Sequence, residues 1–232
     1  VKGLASSGVK RIALSTNGMA ALDRYMELVK LGVNDFSISL DAGCCSIGTT
    51  MTGGCGGAWE KASNAIKELS KITYVTVGVV FNEANYSSAT KTLEYIDTLN
   101  PSDIRVIPSA QYDQRLLNLS ELPTTILKKY PILRYRIENL RKDKSIRGLN
   151  QYDSCKCAIV LDDMAVVKNY HYPCIIYLRE QGEPIGKMTS AGEVRKARAE
   201  WYANHNVKKD PICSKNCLDV CSQYNRTVRN RP

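Results

Sequence analysis

"NDFSISLDA", residues 34–42, decides how this chain folds. Phe36, Ile38 and Leu40 alternate with Ser37, Ser39 and Asp41, the period of two that marks a strand. Upstream, "KRIALST" (10–16) reads as a second, buried strand, ended by the turn signal Asn17-Gly18. Between them, Met19, Leu22, Met26, Leu28 and Val29 predict a helix over 19–31, closed by Gly32. Downstream, a Gly-rich loop "AGCCSIGTTMTGGCGG" (42–57) leads to a helix expected from Ala58 to Lys71. "TYVTVGVVF" (73–81) is a β-branched strand, Ser87 begins a helix reaching Leu99, and "DIRVIP" (103–108) is a fourth strand.

Strands and helices thus alternate at about thirty residues per unit, the signature of βαβ crossovers and a parallel sheet. Ligands of such sheets sit beyond the C-terminal strand ends. Thr16, Asn17, Ser39, Asp41, Asn82, Pro108 and Ser109 are the polar or turn residues at those ends.

After about residue 118 the pattern changes. Ser120 and Glu121 can start a helical segment, interrupted by Pro123 and Pro131. From Gln151 onward short strands, turns and cysteines are expected. "CAIVLDDMAVVKN" (157–169) reads as a hairpin turning at Asp162-Asp163, "YPCIIYLREQGEPIG" (172–186) as a strand entering a turn, and 192–203 as a helix. The expected division is 1–118, a helical linker 119–150, and a Cys-rich unit 151–232.

Six of the nine cysteines lie in that last part: Cys155, Cys157, Cys174, Cys213, Cys217 and Cys221. The chain starts without a secretory leader, so the expected compartment is the cytoplasm, where thiolates bind metals rather than pair as disulfides. No apolar run approaches the roughly 18 residues needed to cross a bilayer, so no membrane partner is expected. Thiolates from separate elements meeting at one point would hold either tetrahedral zinc or an iron–sulfur cluster. "CSKNC" and "CLDVC" space three of them four residues apart. Four residues of helix rise about 6 Å, which suits the wider spread of a cubane. A straight helix would hold Cys213 and Cys221 about 12 Å apart, so either Ser214-Lys215-Asn216 is a loop or one thiol is spare. Cys155 reads equally well as a free cysteine. Cys44, Cys45 and Cys55 have no regular spacing and read as incidental. His171 and His205, the only histidines, read as surface or hydrogen-bonded polar residues.

The formal charge is +9, and "LKKYPILRYRIENLRKDKSIRG" (127–148) interleaves Tyr130 and Tyr135 with basic residues. That composition fits a nucleic-acid-binding face, which with a zinc-stabilised tail is the competing reading. The favoured one is a core stripe, because Ile126, Tyr130, Leu133, Ile137 and Leu140 fall at helical spacing.

"LSTNG" closing a strand, "SISLDA" closing the next, and then "MTGG" and "AWEKASNAI" resemble the middle of radical S-adenosylmethionine (SAM) enzymes. The Cys-flanked hairpin and Cys-rich tail resemble the SPASM or twitch domains of that superfamily, which carry an auxiliary 4Fe–4S cluster. The resemblance implies an α/β fold, a partial (β/α) barrel with a small Cys-rich α+β domain. It implies that Thr16, Asn17, Ser39, Asp41, Asn82, Ile107, Pro108 and Ser109 face SAM. It implies that Cys157, Cys174, Cys213, Cys217 and Cys221 supply the auxiliary cluster ligands. The implied activity is reductive cleavage of SAM to a 5′-deoxyadenosyl radical, acting on an unidentified substrate such as a peptide. The C-x3-C-x2-C run that binds the SAM-cleaving 4Fe–4S cluster is absent. The expectation is therefore a chain lacking its N-terminal part, inactive alone, whose second cluster would belong to the complete protein.

Overall fold

The computed structural model describes residues 1–109, 119, 122–142 and 144–229. It divides into two compact units, Val1–Asp143 and Lys144–Pro232.

The first unit opens with α1 (Lys2–Ser6), then alternates β1 (Ala13–Thr16), α2 (Leu22–Lys30), β2 (Asp35–Ser39), α3 (Cys45–Met51), α4 (Ala58–Leu69), β3 (Tyr74–Phe81), α5 (Ala89–Thr98) and β4 (Asp103–Pro108). The four strands form one parallel sheet in the order β1-β2-β3-β4. Sequential order without a reversal follows from each helical crossover returning the chain to the adjacent place. Among the described residues the sheet is open, with β1 and β4 at its edges, and forms no closed barrel; the α/β class is present.

One sheet face buries the apolar side chains, because Phe36 and Val75, Ile38 and Val77, Val77 and Ile104, and Val79 and Val106 are register partners. Phe36, Ile38, Val75, Val77, Val79, Phe81, Ile104 and Val106 are fully enclosed, and Ile66, Leu69, Leu93 and Ile96 from α4 and α5 pack in the same core. Gly18 (φ +75°) closes the β1–α2 turn, and a Cβ there would lie 2.7 Å from Ala62 Cα. Only glycine combines that backbone with so close an approach to α4.

Helices α6 (Thr124–Lys129) and α7 (Pro131–Arg141) complete this unit. Residues 119–150 are therefore divided between the two units rather than forming a separate linker. Ile126, Tyr130, Leu133 and Ile137 are buried in the sheet's core, and Leu140 packs against it. Tyr130 is fully buried, so its ring is not available to stack on a base, and its hydroxyl donates to Asp97 Oδ1 at 2.7 Å. The helix start expected at Ser120-Glu121 lies outside the described residues.

The second unit contains α8 (Ile159–Asp162), β5 (Ala165–Val167), β6 (Tyr170–Tyr172), α9 (Ile175–Arg179), β7 (Gly186–Lys187), α10 (Ala191–Asn204), α11 (Pro211–Asn216) and α12 (Asp219–Arg229). The three strands form a small antiparallel sheet. Two expectations need correction. The hairpin turns at Lys168-Asn169, not at Asp162-Asp163, because 159–162 is helical; and 175–179 is helix rather than strand. In both places a β-branched run favours extended backbone, but tertiary contacts decide. Arg198 of α10 donates Nε–H to the Val160 carbonyl at 2.7 Å and Nη1–H to Tyr172 O at 3.0 Å, and Nη2 reaches the carbonyls of Asp163 and Pro173. The chain curls around that guanidinium. Helix α10 starts where Ser190 and Glu193 form a reciprocal capping box.

Candidate functional site

In the second unit, Cys157, Cys174, Cys213, Cys217 and Cys221 all line one cavity. They come from separate pieces of chain. Cys157 precedes α8, Cys174 is the N-cap of α9, Cys213 lies in α11, Cys217 sits between α11 and α12, and Cys221 lies in α12.

The tail avoids the 12 Å separation of a straight helix by breaking. The break is at Cys217 (φ −56°, ψ 131°), immediately after Ser214-Lys215-Asn216, which is helical. A strand-like segment seals it: Gly148 N–H donates to Cys217 O at 2.9 Å, Leu149 N–H to Ser214 O at 2.8 Å, and Asp219 N–H to Ile146 O at 2.9 Å. The backbone groups freed by the break are thereby paired.

The sulfurs are near enough to sense one another. Cys157 is electrostatically coupled to each of the other four. Burial pushes the thiols of Cys157, Cys174 and Cys213 upward. The Cys217 thiol donates to the Leu218 carbonyl at 3.7 Å, and neighbouring Cys221, with burial, pushes it upward as well. The cavity walls are mostly apolar, with Leu149, Ile159, Ile176, Trp201 and Val207 among them. Two sulfurs also accept hydrogen bonds: Asn225 Nδ2 donates to Cys157 Sγ at 3.5 Å, and Tyr177 N–H to Cys174 Sγ at 3.5 Å. Such donors stabilise thiolate over thiol. Asn225 has no recognisable signal in the sequence; it reaches Cys157 from α12, where its Oδ1 also accepts from Ala158 N–H at 2.7 Å. Cys155 is exposed and does not line the cavity.

Beside the cavity, His205, Asp210 and Cys213 place an imidazole nitrogen, a carboxylate oxygen and a sulfur within 4.8 Å of one another. His171 is fully buried, not at the surface, and its Nε2 has no hydrogen-bond partner among the described residues.

The first unit carries a second cavity at the C-terminal ends of β1 and β2. Asn17, Ser39 and Asp41 line it, with Met19, Gly48, Met51, Thr52, Cys55 and Trp59. Of the eight residues expected to face SAM, these three are brought together. Thr16 instead shares a hydrogen bond of 2.9 Å with the Tyr25 hydroxyl. Asn82 turns its Oδ1 back to Ala84 N–H at 2.9 Å. Ile107, Pro108 and Ser109 lie at the end of β4, outside the lining.

Asp41 holds the site to the sheet: Val80 N–H donates to its Oδ1 at 2.7 Å. Burial raises its carboxyl above the usual range, against that hydrogen bond. Buried Asn85 ties the same corner, donating to the carbonyls of Asp41 (2.8 Å) and Val80 (2.9 Å). The wall formed by α3 lay within the expected loop. Its Gly48 sits where any Cβ would collide with Trp59, at 2.7 Å from Cδ1. Cys55 lines this cavity, whereas Cys44 and Cys45 are exposed outside it.

No helix among the described residues is long and apolar enough to cross a membrane. No protein-family model matches the chain, and no characterised protein matches it.

Proposed function

We propose that this chain is the C-terminal portion of a radical SAM enzyme whose second unit holds an auxiliary 4Fe–4S cluster. The observation that carries the reading is the convergence of five cysteines on one mostly apolar cavity. A cubane needs four thiolates, so the donor set is sufficient. N–H donors at the sulfurs of Cys157 and Cys174, together with partial enclosure, are the features by which proteins tune such clusters. A bound cluster would supply one-electron chemistry or a substrate contact. The chain's own part is to hold the thiolates, keep the site dry through Ile159, Ile176 and Trp201, and set the sulfur hydrogen bonds.

For SAM, Asn17, Ser39 and Asp41 offer an amide, a hydroxyl and a carboxylate at one strand edge. These groups suit ribose hydroxyls and an ammonium. The substrate would be a peptide or small molecule, and the cluster that cleaves SAM would bind elsewhere in the complete protein.

Anaerobic reconstitution with iron and sulfide tests the reading. Roughly four irons and four sulfides per chain are expected, with the absorbance of a 4Fe–4S centre. A second unit that recovers only zinc under those conditions would overturn it.

A further inference from the structure

Five thiols face a cavity that a four-iron cluster would satisfy with four, and the structure distinguishes one of the five. Cys213 has a carboxylate beside it. The Asp210 side chain caps α11, accepting from Ile212 N–H (2.9 Å) and Cys213 N–H (2.8 Å) through Oδ1. Its Oδ2 accepts from the Tyr177 hydroxyl at 3.0 Å and lies 3.1 Å from His205 Nε2. That nitrogen is buried and not in hydrogen-bond geometry with any described group. The imidazole cannot readily turn away, because it stacks on Trp201 with centroids 4.0 Å apart and planes 16° apart.

We propose that His205, Asp210 and Cys213 form a separate site for a divalent ion of the zinc class, leaving Cys157, Cys174, Cys217 and Cys221 to hold the cluster. The site deepens the cluster reading and rests on it only for the assignment of those four thiols. The donor chemistry is that of zinc: one sulfur, one imidazole nitrogen and one carboxylate oxygen. The three atoms lie within 4.8 Å of one another. Ligands around one tetrahedral zinc stand roughly 3.3–3.8 Å apart; the nitrogen and oxygen, 3.1 Å apart, are already that close, so only the sulfur must approach, by up to about 1 Å. Asp210 Oδ2 keeps lone-pair capacity beyond the Tyr177 hydroxyl. Its side chain is only 8% exposed, so a cation would relieve a buried carboxylate. Three protein ligands would leave one coordination position for water or an exogenous donor.

The test is metal and sulfide analysis of the full chain, reconstituted with iron and sulfide and then equilibrated with one equivalent of zinc. The wild type should hold about four irons and one zinc. His205→Ala should keep iron and sulfide and lose zinc affinity by at least about tenfold. Asp210→Asn preserves a capping oxygen, so it guards against simple misfolding; it should show the same loss. Cys213→Ala should retain the cluster spectrum, whereas Cys157→Ala should lose it. A cluster retained with zinc binding unaffected by His205→Ala, or with no zinc bound at all, overturns the mixed site. Loss of the cluster in Cys213→Ala overturns the division of thiols. If no iron is held but zinc still depends on His205, the mixed site stands and the iron–sulfur reading fails.

Discussion

Arg198 Nη1 donates to Nδ1 of His171 across 3.2 Å, and both side chains are buried. A guanidinium only donates, so Nδ1 accepts and the neutral ring carries its proton on Nε2. Burial, and then the nearby Arg198 charge, hold His171 below the ordinary histidine range. The unfolded chain takes up a proton near pH 6.5 while the folded unit resists it. This contribution is fully present above pH 6.5 and is lost as pH falls through the folded value. The stability of 144–232 should therefore drop on acidification below about 6.5, by up to about 1.4 kcal/mol per pH unit. His171→Asn, which keeps an acceptor, should flatten that slope. Denaturant unfolding followed by Trp201 fluorescence in a Trp59→Phe background reads it; an unchanged slope would remove His171 as the cause.

Arg198 also collects the carbonyls of Val160, Asp163, Tyr172 and Pro173. These lie on the segment joining Cys157 to Cys174. Lysine keeps the charge but has a point-like head that cannot reach four carbonyls. Arg198→Lys should cost about 2–4 kcal/mol in the second unit, the range for losing several charge-assisted bonds and leaving buried acceptors unpaired. Iron retention should fall in parallel. Stability lost without any change in retained iron would mean that Arg198 supports the fold but does not position Cys157 and Cys174.

How much of this was legible depended on whether local pattern or distant contacts decided each element. Phe36, Ile38 and Leu40 alternate and are all buried in or just beyond β2, so period and fold agreed. The four strands and their three principal helices lie within a few residues of where the pattern puts them. Helix α3 was hidden because "CSIGTTM" contains poor helix formers; it forms where Gly48 admits Trp59. The 157–162 segment looked extended because Ile159 and Val160 are β-branched, yet Arg198, distant in sequence, gathers its carbonyls. The five cavity cysteines were identifiable from spacing and resemblance, but the break at Cys217 depends on pairing with residues 146–149. His205 carried no motif at all; only the "DP" at 210–211, an N-cap followed by Pro at N1, hinted at the carboxylate next to it.

Asp103 links the end of the sheet to α7. It is buried, and its carboxylate accepts from Ile132 N–H at 3.0 and 3.2 Å and from Ile104 N–H at 2.8 Å. Asp103→Ala should destabilise the first unit by about 1–3 kcal/mol, the cost of a lost cap with buried donors unpaired. Asp103→Asn should recover most of it. Trp59 fluorescence in a Trp201→Phe background reports this unit. An unchanged Trp59 transition, with the loss seen only by Trp201 in a Trp59→Phe background, would contradict the assignment.

Metal removal should act on the second unit alone. The cavity thiols are raised by burial, so loading must displace their protons, and apparent metal affinity should rise with pH. A ligand at 100 times its Kd adds about 2.7 kcal/mol. Chelation should therefore expose residues 144–232 to proteolysis while 1–143 stays resistant. Equal protection with and without chelator would show that the cavity contributes nothing through metal.

The last prediction sets stability against binding at Asp41. Burial raises its carboxyl above the ordinary range even though Val80 N–H donates to it. A carboxyl raised in the folded state loses stability as pH climbs from its unfolded value, near 4, through the folded one. Ionised Asp41 therefore weakens the first unit at neutral pH. Asp41→Asn keeps an oxygen for Val80 and removes the charge, so it should raise the unfolding midpoint of the first unit at pH 7 and lose that advantage at pH 4. On the proposed reading it should also weaken SAM binding about tenfold or more, the loss expected when a charged hydrogen-bond partner is removed. A residue retained for function at a cost to the fold behaves in this way. If Asp41→Asn left both stability and SAM affinity unchanged, the carboxylate would be neither strained nor engaged, and the cavity at the ends of β1 and β2 would lose its strongest claim to the cofactor.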